Sequence, residues 1–259
     1  MNDRILTATS LRKTFGGITA VTDFGLALHS GEIVGLIGPN GAGKTTVFNL
    51  LTGVYQPDTG CIELNGIDLR RLPPHRVTTC GIARTFQNIR LFREMTVLEN
   101  VKVGYESRRK TGLVGAVLRN SGFKEEERKI DQDAIALLNL LGLGHQPEEL
   151  SRNLPYGLQR KLEIARALAT GPKVLLLDEP AAGMNESESA DLRAVLIEIR
   201  ARFNLSILVI EHDMPFVMGL ASRLLVLDHG VTIAEGNPDE IRANPAVIEA
   251  YLGKQEPVQ

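Results

Sequence analysis

The segment Gly38-Pro39-Asn40-Gly41-Ala42-Gly43-Lys44-Thr45-Thr46 lies between an apolar run, Ile33-Val34-Gly35-Leu36-Ile37, and the helix-like stretch Val47-Phe48-Asn49-Leu50-Leu51. A strand that turns through glycines into a helix restricts the fold more than any other feature of the chain. The glycines let the backbone curl so that successive N–H groups point into one concavity, and the helix N-terminus behind them adds the positive end of its dipole. Such a concavity suits phosphate. Lys44 then reaches the β- and γ-phosphates of a nucleoside triphosphate, and the Thr45 hydroxyl takes a place on Mg²⁺.

The remaining composition sets broad limits. A chain of 259 residues allows one large domain or a core with an inserted lobe. Hydrophobic content of 43% and charged content of 23% are ordinary for a globular protein, and a net charge of −2 gives no basic footprint for nucleic acid. No nucleic-acid partner is expected. No apolar run approaches the ~18 residues that span a bilayer. The start Met1-Asn2-Asp3-Arg4 lacks the basic and apolar pattern of a secretory signal. Cys61 and Cys80 have neither C-x-x-C spacing nor a nearby histidine cluster, and read as small buried thiols rather than a disulfide or zinc site.

Along the chain, Leu6 to Leu11 and Phe24 to Leu28 alternate apolar and polar residues, as half-exposed antiparallel strands do. Phe15, ahead of the second of these, is a candidate for stacking on a base, against the common alternative of a core phenylalanine. Gly60–Leu64 and Ile82–Phe86 read as short strands around a helical Pro74–Val77 stretch, with Gln87 closing the second strand. From Asn88 to Ala169 the pattern becomes helical; Ile130, Ala134, Leu137, Leu138 and Leu141 recur at helical spacing within Glu125–Leu141. The charge runs Arg108-Arg109-Lys110 and Lys124–Lys129 read as solvated faces.

Strand signals return at Val174–Leu177, ending in Asp178-Glu179-Pro180, and at Ser206–Ile210, ending in Glu211-His212-Asp213. The helical stretch Glu186–Arg202 between them makes a β-α-β unit whose carboxylates and histidine lie where open parallel sheets hold ligands. A hairpin, Leu224–Asp228 and Val231–Glu235, precedes two short helices, Pro238–Ala243 and Pro245–Leu252. Asp178, an acid closing an apolar strand, fits the second Mg²⁺ ligand opposite Thr45. Glu179 points to the other side and fits a general base for water; His212 fits a donor to the γ-phosphate.

The phosphate loop, Gln87, Leu154-Pro155-Tyr156-Gly157-Leu158-Gln159-Arg160, Val174–Pro180 and His212 fall in the order found in the ATP-binding cassette (ABC) ATPases, and the resemblance covers nearly the whole chain. It implies an α/β P-loop fold of ABC type: a mixed-sheet core with an antiparallel β lobe (1–87 and 170–235), an inserted helical lobe (88–169) and a C-terminal helical tail (236–259). It further implies ATP and Mg²⁺ as cofactors, Gln87 as a Mg²⁺-sensing glutamine facing a membrane partner, and Phe15 as the adenine-stacking aromatic. Asn88–Met95 is then the groove that receives a coupling helix.

Three stretches narrow the resemblance. Arg84-Thr85-Phe86-Gln87 with Leu91–Val97, then Glu179–Asn185, then Ile210–Met214 resemble the ATP-binding subunits of branched-chain amino-acid importers, as do the Ile241–Gly253 tail and the Gly104–Lys129 insertion. Relatives for urea, short amides or aromatic acids share these motifs. The subgroup implies a peripheral subunit on the cytoplasmic face of the inner membrane, with a second ABC ATPase, two transmembrane permease subunits and, indirectly, an extracytoplasmic substrate-binding protein. Rival readings are a homodimeric ATPase of a lipid or lipopolysaccharide exporter and a soluble ABC switch acting on ribosomes or DNA. The latter usually has two cassettes or a long coiled coil, and this chain has neither. A simple P-loop kinase leaves the Leu154–Arg160 segment and His212 without a role.

The chain departs from the family in one place that bears on mechanism. The signature usually reads Leu-Ser-Gly-Gly-Gln and binds the γ-phosphate held on the opposite subunit. Here Pro155 removes a hydroxyl and a backbone donor, Tyr156 replaces the first glycine, and Gly157 remains. A lost hydrogen bond to a charged group costs on the order of 1.5–3 kcal/mol, so the expectation is a heterodimer with unequal sites, a homodimer being the alternative. Asn185 stands where many members carry Asp.

Overall fold

The apolar alternation near the start forms a pair of long strands, β1 (Arg4–Phe15) and β2 (Ile18–His29), joined antiparallel through Gly16-Gly17. With β4 (Thr59–Leu64) and β5 (Ile67–Asp68) they make a four-stranded antiparallel sheet in the order β2-β1-β4-β5. The second sheet contains β3 (Ile33–Ile37), β6 (Ile82–Arg84), β7 (Val174–Asp178), β8 (Ser206–Ile210), β9 (Arg223–Asp228) and β10 (Val231–Gly236). Its order is β10-β9-β3-β8-β7-β6; all neighbours are parallel except β10, which returns along β9 as a hairpin. This is a computed structural model, and it describes residues 4–109 and 121–252. The middle of the Gly104–Lys129 insertion, Lys110 of the charge run, residues 1–3 and the tail beyond Leu252 lie outside the described residues.

The continuous apolar runs are buried on both faces, which is why they show no alternation. Ile33, Leu175, Leu177, Ile207 and Val209 face one core with the helices, whereas Val34, Leu36, Val174, Leu176, Leu208 and Ile210 face the other, shared with α1 (Lys44–Leu51) and the antiparallel sheet. The period of two in a strand divides one run between two cores. Each such side chain contributes about 1.5–3 kcal/mol by leaving water, and truncating Leu208 to Ala would cost about 2–5 kcal/mol.

The remaining helices are α2 (Pro74–Cys80), α3 (Val97–Tyr105), α4 (Ser121–Leu140), α5 (Tyr156–Ala169), α6 (Glu186–Phe203), α7 (Met214–Met218), α8 (Pro238–Ala243) and α9 (Pro245–Leu252). Capping boxes start α3, at Thr96 with Glu99, and α6, at Asn185 with Glu188. α3, α4 and α5 pack on one another. Gly104 makes the closest approach possible, because a Cβ there would lie 2.4 Å from the Arg166 carbonyl oxygen on α5. Among the described residues, no helix is long and apolar enough to cross a membrane.

Three expectations need correction. α4 starts at Ser121 rather than near Glu125, since buried Phe123 extends its apolar stripe toward the N-terminus. Cys61 and Cys80 are free but half-buried rather than buried. β6 stops at Arg84, so Gln87 stands beyond the strand and not at its end. Thr85 N–H still donates to Leu176 O at 3.0 Å, but the next carbonyls, of Phe86 and Gln87, turn to the Arg160 guanidinium instead of the sheet.

Candidate functional site at the strand ends

β3 ends at the phosphate loop, and α1 begins behind it with Gly43 as N-cap in the left-handed region (φ 105°) and no side-chain cap. Two loop glycines are fixed by close approach. A Cβ on Gly43 would lie 2.5 Å from Ala20 O, and one on Gly38 2.0 Å from Leu227 O. Gly41 faces open space. The start of α1 therefore presents N–H groups without a side chain competing for them, and its first turn carries no acid. These features fit an anion of phosphate type. Pro39, Asn40, Gly41 and Ala42 also line a cavity of about 570 Å³ on the side of α9. Lys44, Asp178 and Glu179 do not line it, so it is separate from the reacting groups.

Lys44 is 8% exposed and donates from Nζ to Gly38 O (2.6 Å) and Pro39 O (2.9 Å). Burial pulls its ammonium pKa down, and the nearby Glu179 and Asp178 carboxylates oppose that shift. Thr45 is exposed and Thr46 half-buried at the start of α1.

β7 delivers two carboxylates to different places. Asp178, nearly buried, pairs with Arg84, whose Nη2 lies 2.7 Å from Asp178 Oδ2 while Nη1 donates to Asn49 Oδ1 at 2.6 Å. Glu179 adopts a left-handed backbone (φ 47°), which for a residue with a Cβ costs on the order of 1–3 kcal/mol and is a mark of functional sites. The kink sends its carboxylate away from Arg84. Gln87 Nε2 donates to Glu179 Oε2 at 2.8 Å, and His212 Nδ1 lies 3.8 Å from the same oxygen. The structure therefore brings Gln87, Glu179 and His212 together, with Asp178 next in the chain.

The loop after Glu179 is fastened by Glu211, which the sequence grouped with the ligand-side carboxylates at the strand ends and which the structure buries instead as a cap on the loop. Fully buried Glu211 accepts from Ala181 N–H (2.8 Å), His212 N–H (3.2 Å) and Asp213 N–H (3.4 Å). Burial pushes its pKa up against those three N–H groups. The buried roles of Arg84, Arg160 and Glu211 were all missed for one reason. Their signal is a charged residue inside or closing an apolar stretch, which becomes informative only when a buried partner is known.

Phe15 is 39% exposed, so it is not a core residue. Its ring meets Tyr55 edge-on, with centroids 5.1 Å apart, and Lys13 Nζ lies 5.5 Å over its face. Asp58 holds that turn by accepting from Thr14 N–H and Lys13 Nζ.

Pro155, Tyr156 and Gly157 form the start of α5, on the helical side. Pro155 is the N-cap and supplies no side-chain cap. Among the described residues no hydrogen bond or ion pair joins them to the phosphate loop; the Tyr156 hydroxyl accepts from Arg160 Nη2 at 3.3 Å. Nearby, Arg90, Leu91 and Phe92 line a cavity of about 530 Å³ with Phe86, Glu163 and Arg166. Asn88, Ile89 and Met95 do not line it.

Among the described residues no cluster of three or more His, Cys, Asp or Glu side chains forms a metal site. The oxygen donors Asp178, Thr45 and Gln87 nonetheless suit Mg²⁺, which binds through one or two carboxylates together with substrate phosphates.

Comparison with known proteins agrees with this geometry. The family model described as ABC transporter matches residues 21–182, and one described as branched-chain amino acid ATP-binding cassette transporter matches residues 231–257. The chain is 46% identical to the high-affinity branched-chain amino acid transport ATP-binding protein LivG of Salmonella typhimurium, over 98% of this chain and 100% of that protein. It is 43% identical to the corresponding protein BraF of Pseudomonas aeruginosa, over 98% and 100%. A crystal structure of an ABC transporter ATP-binding cassette in its ADP conformation superposes with a TM-score of 0.84 at 31% identity, covering 97% of this chain and 99% of that one. Sequence, fold and site together place the chain in the family of ABC transporter ATP-binding proteins, as a nucleotide-binding ATPase with the α/β P-loop fold.

Proposed function

We propose that this chain is the ATP-hydrolysing subunit of an importer for branched-chain amino acids. It works on the cytoplasmic face of the inner membrane with a second ABC ATPase, two transmembrane permease chains and, indirectly, an extracytoplasmic binding protein. One observation carries the hydrolytic part: Glu179 is held by Gln87 and faced by His212, beside a glycine loop that presents Lys44. The cargo rests on similarity to LivG and BraF along the full chain.

ATP binds with its phosphates against the N–H groups of Gly38, Asn40–Ala42 and Gly43–Thr46, with Pro39 contributing shape but no donor, and Lys44 exchanges its loop carbonyls for the β- and γ-phosphates. Phe15 stacks on the adenine. Thr45, Asp178 and Gln87 would hold Mg²⁺, which would supply positive charge against the phosphates. Glu179 accepts a proton from the attacking water, which adds to the γ-phosphorus as ADP leaves. Gln87 fixes the Glu179 carboxylate, and His212 donates to the γ-phosphate.

Pro155, Tyr156 and Gly157 meet nucleotide held on the opposing cassette. Closure of the cassettes moves the membrane chains through the groove lined by Arg90, Leu91 and Phe92. The division into core (1–87 and 170–235), helical lobe (88–169) and tail (236–259) assigns hydrolysis to the first and coupling to the second. Asn185 loses nothing locally relative to Asp, because its side chain caps α6 by accepting from Glu188 N–H at 3.0 Å.

Uptake of labelled leucine, isoleucine and valine tests this reading in cells lacking the chain. Wild-type chain should restore it and Glu179→Gln should not. Restoration of urea or amide uptake instead would reassign the cargo, and restoration by Glu179→Gln would remove the ATPase role.

A further inference from the structure

Among the described residues, Arg160 is the largest side chain with no solvent exposure. Its guanidinium joins the Phe86-Gln87 segment to the turns on either side of Arg160 in its own helix, α5. Nη1 donates to Phe86 O (2.6 Å) and Glu163 Oε2 (2.9 Å); Nη2 donates to Gln87 O (2.7 Å) and to the Tyr156 hydroxyl (3.3 Å). Glu163 in turn accepts from Arg90 N–H at 3.2 Å, in the groove segment. Burial pushes the Glu163 carboxyl up, against the pull of Arg160.

A planar guanidinium holds the two successive carbonyls through separate nitrogens in a fixed geometry, and can bind Glu163 and Tyr156 at the same time; the rotatable ammonium of a lysine fixes no such plane. The position of Arg160 therefore sets the peptide of Gln87, whose side chain holds Glu179. At the other end, Tyr156 is 45% exposed on the outer face of α5, and its ring lies 3.5 Å from where a Cβ on Gly183 would stand. Pressure on Tyr156 from outside reaches the Glu179–Asn185 loop on one side and Arg160 on the other. The Arg160 Nε–H is buried without an acceptor, so the network is not saturated and has a donor to spend in a second arrangement.

We propose that Arg160 is a positioning residue that transmits the state of the Tyr156 turn to the Gln87–Glu179 pair. Nucleotide held against Tyr156 by the opposing cassette thereby sets the competence of this chain's own hydrolytic site. The inference rests on the ATPase reading above and adds a path between the two nucleotides of a closed pair.

The test uses the full chain in the detergent-solubilised complex with which it copurifies, comparing kcat and KM for ATP and thermal midpoints. Tyr156→Phe keeps the ring and removes the hydroxyl. It should lower kcat by about tenfold or more, the scale of one hydrogen bond to a charged group, with KM and thermal midpoint unchanged. In a Gln87→Ala background the same change should have no further effect. Arg160→Lys should lower kcat at least as much, again only when Gln87 is present.

Unchanged kcat in Tyr156→Phe, a change confined to KM, or multiplication of its effect with that of Gln87→Ala would each overturn the relay. Glu179→Gln separates the two levels. Wild-type turnover in that variant overturns the ATPase reading itself, whereas its loss together with multiplying effects overturns the relay alone.

Discussion

Two helices of this protein begin at positions assigned to phosphate, and they are built in opposite ways. α1 starts from a left-handed glycine wedged against Ala20, with a buried lysine beside it. α5 starts from a proline with no cap, followed by an exposed tyrosine and a buried glycine. The first start is specified by a local glycine pattern. The second has few donors of its own and depends on a buried guanidinium one turn along. A helix N-terminus is a general anion site, but its strength is set by what the preceding residues add.

The largest effect that separates the two ends should come from Glu179→Gln, which leaves both helix starts intact. Turnover should fall by on the order of 10²–10⁴ with ATP binding retained, as measured by steady-state ATPase and equilibrium binding. Next, Arg160→Met should destabilise the fold by about 3–5 kcal/mol in denaturant titration, because Glu163 is left buried without its counter-charge.

Within the phosphate loop, Gly43→Ala should cost about 1–3 kcal/mol and abolish ATP binding, since the added Cβ collides with Ala20 O. Gly41→Ala, facing open space, should show only the left-handed penalty of about 1–2 kcal/mol. Equal losses of binding in the two variants would remove the distinction between a wedged and a free glycine. At the α5 start, Pro155→Ser should stabilise by about 1 kcal/mol through a new cap. In the assembled complex it should raise turnover by about tenfold through the regained bond to phosphate. Unchanged ATPase in that variant would leave the unequal-site idea without support.

The smallest effect is a pH dependence. The Glu211 pKa is raised in the folded state, so its contribution to stability is present below the ordinary carboxylate range near 4.5 and is lost as pH rises through the folded value. Unfolding free energies should therefore show the gap between wild type and Glu211→Gln narrowing as pH is raised from that range toward neutrality. A gap that widens would contradict the burial assigned to Glu211.

This contrast also explains what the sequence made legible. Ile33–Ile37, Val174–Asp178 and Ser206–Ile210 could be read because short apolar runs bounded by glycine or acids are strands buried on both faces. The phosphate loop could be read because its glycine pattern is local, although the Leu227 and Ala20 carbonyls that exclude a Cβ at Gly38 and Gly43 lie elsewhere in the chain. The end of β6 could not: only the guanidinium of Arg160, far along the chain, diverts the Phe86 and Gln87 carbonyls from the sheet. Nor could the pairing of Arg84 with Asp178 or the cap that Glu211 gives the Ala181 loop, since each joins distant segments through a buried charge. Local rules reach the glycine pattern of the phosphate loop; long-range polar contacts, including Arg84 to Asn49 on α1, make the rest.

The claim that one end is complete and the other weak is tested most directly by isolating tagged Glu179→Gln protein from its own cells in mild detergent with ATP and Mg²⁺ and identifying what copurifies. Recovery of a second, different ABC ATPase with two membrane proteins is the predicted result, with the partner supplying a full signature. Recovery only as a homodimer would place the Pro155-Tyr156 turn at both sites and contradict the account.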